Sequence, residues 1–375
     1  MSAFNRVLNT LKDNKQKRLK GDKIAIPWSL PRLSTVLPGI EKARYNLVSA
    51  SPKAGKTMLA DFLYVYQPIE WKIANPDSNI IPKIFYFSLE VSINSKIKAA
   101  MCYKLFKDYN VVISPQKLSS VFGGYILDDQ VEEIISSVEF QEWFYKFESM
   151  VTFYDSIRNP YGIYKVIKDY AEHPDVGYYE KKLIDWQNKD GTYTKKEVKG
   201  QYIARNPDEY VIVIVDHISL LQPEKDKTLH QSIGQFSSEF CLQMRDKWSY
   251  IPVIVQQQSA DSSRAQYNYK GDTVLEKIKP DQEGLADNKY TARDVDLMIS
   301  LFNPTRYNLE KYNGLDLTQI GDNHREFVIN LNRNGESNAA IQLFFLGQSS
   351  FFSELPKALG PEDYGYIKNL INKSK

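Results

Sequence analysis

The sequence predicts an α/β protein with a central, mostly parallel twisted sheet flanked by helices. Three observations predict it. Short apolar strands alternate with helical stretches along the chain, as in proteins built on a parallel sheet. Val211–Val215 puts five β-branched residues in a row, as a strand buried on both faces requires. Gly55-Lys56-Thr57 stands between an apolar strand and an amphipathic helix.

The elements follow in order. Residues 5–20 read as a basic helix with a narrow apolar face of Val7, Leu8 and Leu11. Gly21 to Gly39 contains Pro27, Pro31 and Pro38 and reads as extended chain. A strand is expected at Tyr45–Ser49, then a helix from Lys56 through Met58, Leu59, Phe62 and Leu63. Ile84–Ser88 and Val151–Tyr154 read as buried strands, with a helix at Ile163–Tyr170 after the second. The strand Val211–Val215 precedes a long helical stretch, Leu229–Trp248. Further strands are expected at Pro252–Val255, Leu297–Phe302 and Phe327–Leu331. Two polar stretches interrupt the alternation. Residues 175–209 carry the turn signal Asn188-Lys189-Asp190-Gly191 and read as an inserted hairpin. Residues 260–293 read as a long functional loop. The tail after Pro361 reads as a surface helix.

Composition narrows the function class. The 375 residues are 42% apolar and 25% charged, which excludes a disordered or low-complexity chain. The strongest apolar run is too short to span a bilayer, and no secretory signal is visible. Two cysteines, Cys102 and Cys241, cannot build a disulfide framework or a four-cysteine zinc site, so a cytoplasmic setting is expected. The net charge is +2, yet residues 1–23 hold seven Lys/Arg against two Asp/Glu. A basic arm on a nearly neutral body suits contact with nucleic acid or with an acidic neighbour.

The chemistry concentrates in Ala50-Ser51-Pro52-Lys53-Ala54-Gly55-Lys56-Thr57. This is the phosphate-binding pattern G-x-x-x-x-G-K-[ST] with Ala50 in the first glycine position, which implies that no positive φ is needed there. Backbone N–H groups and the helix N-terminus would cradle phosphates, Lys56 would neutralise them, and the Thr57 hydroxyl would ligate Mg²⁺. Asp216 ends the strongest strand, where it could hold Mg²⁺, usually through water. Glu90, closing Phe87-Ser88-Leu89-Glu90, could polarise an attacking water. Gln258 could sense the γ-phosphate, and Arg333 in Asn332-Arg333-Asn334-Gly335 could reach a phosphate from another chain. The four residues share positions after expected strands.

These segments, in this order, resemble the RecA-like motor domain of DnaB-type replicative helicases. The resemblance runs through Ser51–Thr57, Phe87–Glu90, Val215–Leu221, Ile251–Gln258, Asp294–Leu297 and Asn332–Gly335, within residues 26–346. It implies a RecA-like P-loop NTPase that binds ATP and Mg²⁺ at Ala50–Thr57. Glu90 would be the catalytic glutamate and Asp216 the metal-side aspartate. Gln258 would couple the nucleotide to DNA loops, and Arg333 would be a finger acting on the next subunit. It further implies a homo-oligomeric ring, commonly a hexamer, around single-stranded DNA, and a primase or helicase loader as partner. Arg264, Lys270, Lys277, Lys279 and Lys289 become candidate DNA-phosphate contacts.

Three departures stand out. Leu331 occupies a position two before the finger that is often Lys in the family, Asp216-His217-Ile218 looks closer to the primase-helicase branch, and the helical collar is not seen. The expected organisation is a basic linker helix at 1–25, a RecA-like domain at 26–350 and a tail at 351–375. Such a compact form suits a phage replication system, with the host cytoplasm as its location. A recombinase or repair ATPase, or a loader or scaffold without productive hydrolysis, is the alternative.

Overall fold

A computed structural model describes residues 3–121, 123–259 and 277–373, with the single positions 261, 264 and 274. The strands in chain order are β1 (Asn46–Ala50), β2 (Ile81–Ser88), β3 (Val151–Tyr154), β4 (Gly177–Gln187), β5 (Tyr193–Ala204), β6 (Glu209–Asp216), β7 (Ile251–Gln257), β8 (Leu297–Phe302), β9 (Lys311–Tyr312), β10 (Leu315–Asp316), β11 (His324–Asn332), β12 (Ala340–Leu346) and β13 (Phe351–Glu354).

Among the described residues, nine strands form one sheet in the order β13-β12-β11-β8-β1-β7-β6-β2-β3. From β8 to β3 every neighbouring pair is parallel. β11, β12 and β13 continue the sheet antiparallel. The sequence stopped at β11; the sheet carries two strands more. Residues 351–354, expected in the tail, are an edge strand of the main sheet, and Glu354 is paired with Arg32 at 3.1 Å. The C-terminal helix Pro361–Lys373 is likewise more than a surface element, because it buries Ile367 and Leu370.

Alternation along each strand divides the core. Val48, Ile84, Tyr86, Ile212, Ile214, Val253 and Val255 face one side. Leu47, Phe85, Phe87, Val211, Val213, Val215 and Ile254 face the other. Helical chain from 56 to 74 covers the first side; the helix Pro160–Ala171 and the stretch 229–248 cover the second. The first helix widens to a π-turn at Phe62–Tyr66, just before Pro68, which has no N–H to offer the preceding turn.

The helices Ile93–Tyr109, Asp129–Ser136 and Val138–Met150 lay outside the sequence expectation. They build a satellite core around Cys102, Leu105 and Phe140. β4 and β5 pair antiparallel as a separate two-stranded sheet. Its base is anchored by Tyr202, whose hydroxyl donates to the Ala171 carbonyl at 2.9 Å. Gly177 makes room for that ring, since a Cβ there would lie 2.1 Å from the hydroxyl.

Candidate nucleotide-binding site

The site grows from the C-terminal end of β1. Ala50 is still strand, paired with Gln257 on one side and Leu301 on the other, so its backbone is extended and alanine fits. The chain then turns through 51–55. Gly55 has φ +104°, and a Cβ there would meet the Phe345 ring at 3.1 Å. Only glycine tolerates both conditions. Lys56 opens the helix and is half-buried, and Thr57 follows it.

The loop is braced from behind. Arg325 on β11 is 1% exposed, and its Nε donates to the Ala54 carbonyl at 2.7 Å. Its Nη1 donates to the carbonyls of Asp322 and His324, both at 2.7 Å. Arg306 contacts the Pro52 carbonyl. Neither arginine was singled out from sequence. Arg325 lies in a strand where alternation alone says only that it faces one side.

Asp216 closes β6 and is fully buried. Thr57 Oγ1 donates to its Oδ1 at 3.0 Å, so two residues 159 positions apart in the chain meet. Oδ2 accepts from the Tyr86 hydroxyl at 2.9 Å and from Lys96 Nζ at 3.2 Å. Lys96 also holds both oxygens of Asp61 at 3.1 Å. Burial would raise the Asp216 pKa, but Lys96, the Tyr86 hydroxyl and Lys56 together hold it below the usual carboxylate range. Asp216 is therefore ionised at neutral pH.

Thr57 and Asp216 fit a Mg²⁺ accompanying a nucleotide: a hydroxyl and an ionised carboxylate sit together beside the phosphate loop. Among the described residues no group of three or more His, Cys, Asp or Glu could hold a metal. A cation here would take its other ligands from phosphate and water, which is the habit of Mg²⁺.

Glu90 is exposed, in the turn after β2. That turn is fixed on both sides. Leu89 N–H donates to the Asp216 carbonyl at 2.7 Å, and Ser88 Oγ donates to the Val91 carbonyl at 2.6 Å. Ser92 caps the helix Ile93–Tyr109, accepting from Ser95 N–H. Glu90 lies 3.8 Å from His217 Nε2. Burial, then Lys56, push the His217 pKa down, so the ring is neutral and this is no ion pair at neutral pH.

Gln258 adjoins β1, its N–H donating to the Ala50 carbonyl at 2.9 Å. Its buried Nε2 donates to Ser49 Oγ and to the Asp281 carbonyl, both at 2.9 Å. The side chain thus ties β1 to residues 281–285.

Arg333 requires a correction. Sequence grouped it with the residues at strand C-termini near the phosphate loop. β11, however, runs antiparallel to β8: Asn332 pairs with Leu297, the first residue of β8, whereas Ala50 pairs with Leu301 near its last. Arg333 therefore lies at the opposite end of the sheet from its own phosphate loop. It is exposed, and its Nε donates to the Val295 carbonyl at 2.8 Å.

The candidate DNA contacts divide. Arg264 is exposed and pairs with exposed Asp261 at 3.4 Å, and Lys289 is exposed beside Glu283 at 3.9 Å. Such surface pairs are weak. Lys277 is exposed. Lys279 is engaged elsewhere: it pairs at 3.0 Å with the fully buried carboxylate of Glu326. Lys270 lies outside the described residues.

No family model and no curated protein matches the sequence. Solved structures do match. One, a structure of an isolated ATPase domain, superposes with a TM-score of 0.63 at 16% identity, covering 95% of this chain and 100% of that one. A DnaB-like replicative helicase, described with its interactions with primase, gives the same TM-score and identity over 95% of this chain and 67% of that one. At that identity the likeness speaks for the fold: the chain is an α/β protein of RecA-like fold, built as these two proteins are.

Proposed function

We propose that the chain is the ATP-hydrolysing motor of a DnaB-type replicative helicase, a ring that moves along single-stranded DNA and separates duplex. The carrying observation is the contact between Thr57 and Asp216 beside the Ala50–Thr57 loop, with Glu90 held above the same β2–β6 strand ends. The fold shared with a DnaB-like replicative helicase supports the same reading.

In this reading Ala50, Ser51, Pro52, Lys53, Ala54 and Gly55 wrap the phosphates and Lys56 neutralises them. Bound Mg²⁺ supplies further neutralisation of phosphate charge. Glu90 orients the attacking water and accepts its proton. Gln258 passes the state of β1 to residues 281–285. Arg264, Lys277 and Lys289 meet DNA phosphates, and such contacts weaken with salt. Arg333 serves the neighbouring chain, because its own site is at the far end of the sheet. The helix Ala3–Leu19 leaves Phe4, Val7, Leu11 and Leu19 exposed, a face for packing on a neighbour. The number of subunits, the loader and the primase partner belong to the same proposal.

The test is phosphate release from ATP, with and without single-stranded DNA, on wild type, Glu90→Gln and Lys56→Ala. DNA-stimulated release that falls at least a hundredfold in both variants is expected. ATP binding without release from wild type, even with DNA, would favour a scaffold instead.

A further inference from the structure

Lys96 has no part in the reading so far, yet it is among the most enclosed charges in the chain, at 4% exposure. It sits in the first turn of the helix Ile93–Tyr109, six residues after Glu90. Its ammonium spans two carboxylates from different elements, Asp61 on the phosphate-loop helix and Asp216 on β6. It also lies 4.2 Å from the centre of the Tyr86 ring, whose hydroxyl donates to the same Oδ2. The two oxygens of Asp216 are thus divided. Oδ2 is occupied by Lys96 and Tyr86, and Oδ1 faces Thr57 alone.

We propose that Lys96 is a positioning residue that keeps Asp216 one-sided: it occupies Oδ2, leaves only Oδ1 toward the Thr57 side, and so limits how strongly the protein itself grips the divalent cation. The inference rests on the nucleotide-hydrolysing reading above. Its physical content is a sign. A cation 3.2 Å from a carboxylate lowers that carboxylate's attraction for a second cation, most strongly where water is excluded. Removing Lys96 frees Oδ2 and the rotation of the carboxylate. The divalent cation is then held more tightly, and the geometry offered to phosphate is lost. A lysine that merely holds the fold together predicts the reverse for metal, since a loosened site binds it more weakly.

Lys96→Met alone would leave two buried carboxylates without their shared cation, which is strongly destabilising. The informative chain is therefore Asp61→Asn with Lys96→Met, which keeps the net charge of the trio, compared with Asp61→Asn alone. Two quantities are read. One is the Mg²⁺ concentration that half-saturates binding of a fluorescent ATP analogue, and the other is the kcat and KM for ATP with single-stranded DNA. The expected result is half-saturation at severalfold lower Mg²⁺, with kcat at least tenfold lower and KM for ATP within about threefold. Unchanged or weaker Mg²⁺ dependence overturns the proposal. Should the double variant not fold, Tyr86→Phe removes the other Oδ2 donor at nearly constant volume. It should shift Mg²⁺ dependence in the same direction by a smaller factor, and no shift or an opposite one overturns the proposal. Failure of the underlying reading looks different: wild type would then bind no analogue or release no phosphate.

Discussion

At the scale of single residues, the pattern Ala50–Thr57 and the carboxylates of Glu90 and Asp216 were legible because they fall at strand ends, where a parallel sheet gathers chemistry. Lys96, Asp61 and Arg325 were not. A lysine in a helix reads as solvated, and its burial arises only when β2, β6 and two helices converge on it. Lys279 shows the opposite error, since the buried Glu326 that claims it lies 47 residues away in sequence. A buried histidine supplies a test of this packing. His324 opens β11, is fully buried and contacts Gln342 Oε1 at 2.7 Å. Burial lowers its pKa from 6.5 to about 4. The unfolded chain therefore takes up a proton below pH 6.5 that the folded chain refuses until about pH 4. Its stabilising effect is complete above the upper value and is lost as pH falls through that window. Urea unfolding at pH 7 and pH 5 should show wild type losing about 2 kcal/mol more than His324→Gln.

At the scale of elements, strands buried on both faces were read within a few residues, because β-branched runs leave little choice. The helices between 93 and 150 were missed because much of their apolar surface packs among themselves in the Cys102–Phe140 cluster, away from the sheet. The β4–β5 hairpin was legible from its turn, but not its unequal energetics. Its far half is exposed, with Leu183 at 63% and Tyr193 at 67%, while Tyr202 at its base is 9% exposed. Replacing 182–197 by a short turn should change stability by less than about 1 kcal/mol. Tyr202→Ala should cost about 3 kcal/mol, from the cavity and the lost bond to Ala171. Thermal unfolding of both chains checks the contrast, and equal losses would mean that the exposed half packs more than its burial indicates.

At the scale of the whole molecule, the sheet has two functional ends. Residues 50–57, Glu90 and Asp216 gather at one, and Arg333 projects at the other. Sequence could not separate them, because the antiparallel sense of β11 is a property of topology and not of its residues. If Arg333 acts on a neighbour, Arg333→Ala and Lys56→Ala chains should each be nearly inactive alone. Mixed in equal amounts they should recover up to about a quarter of wild-type phosphate release, since one interface in four then joins an intact loop to an intact arginine. An Arg333→Ala chain with normal activity by itself would remove the arginine from the reaction. The same opposition of ends has an arithmetic consequence. Chains joined loop to arginine in an open row always leave one loop unserved at one terminus and one arginine idle at the other. Closing the row abolishes both defects at once. Turnover per chain should therefore rise in a step on closure, so that enclosing a strand and completing the last reaction centre become a single event.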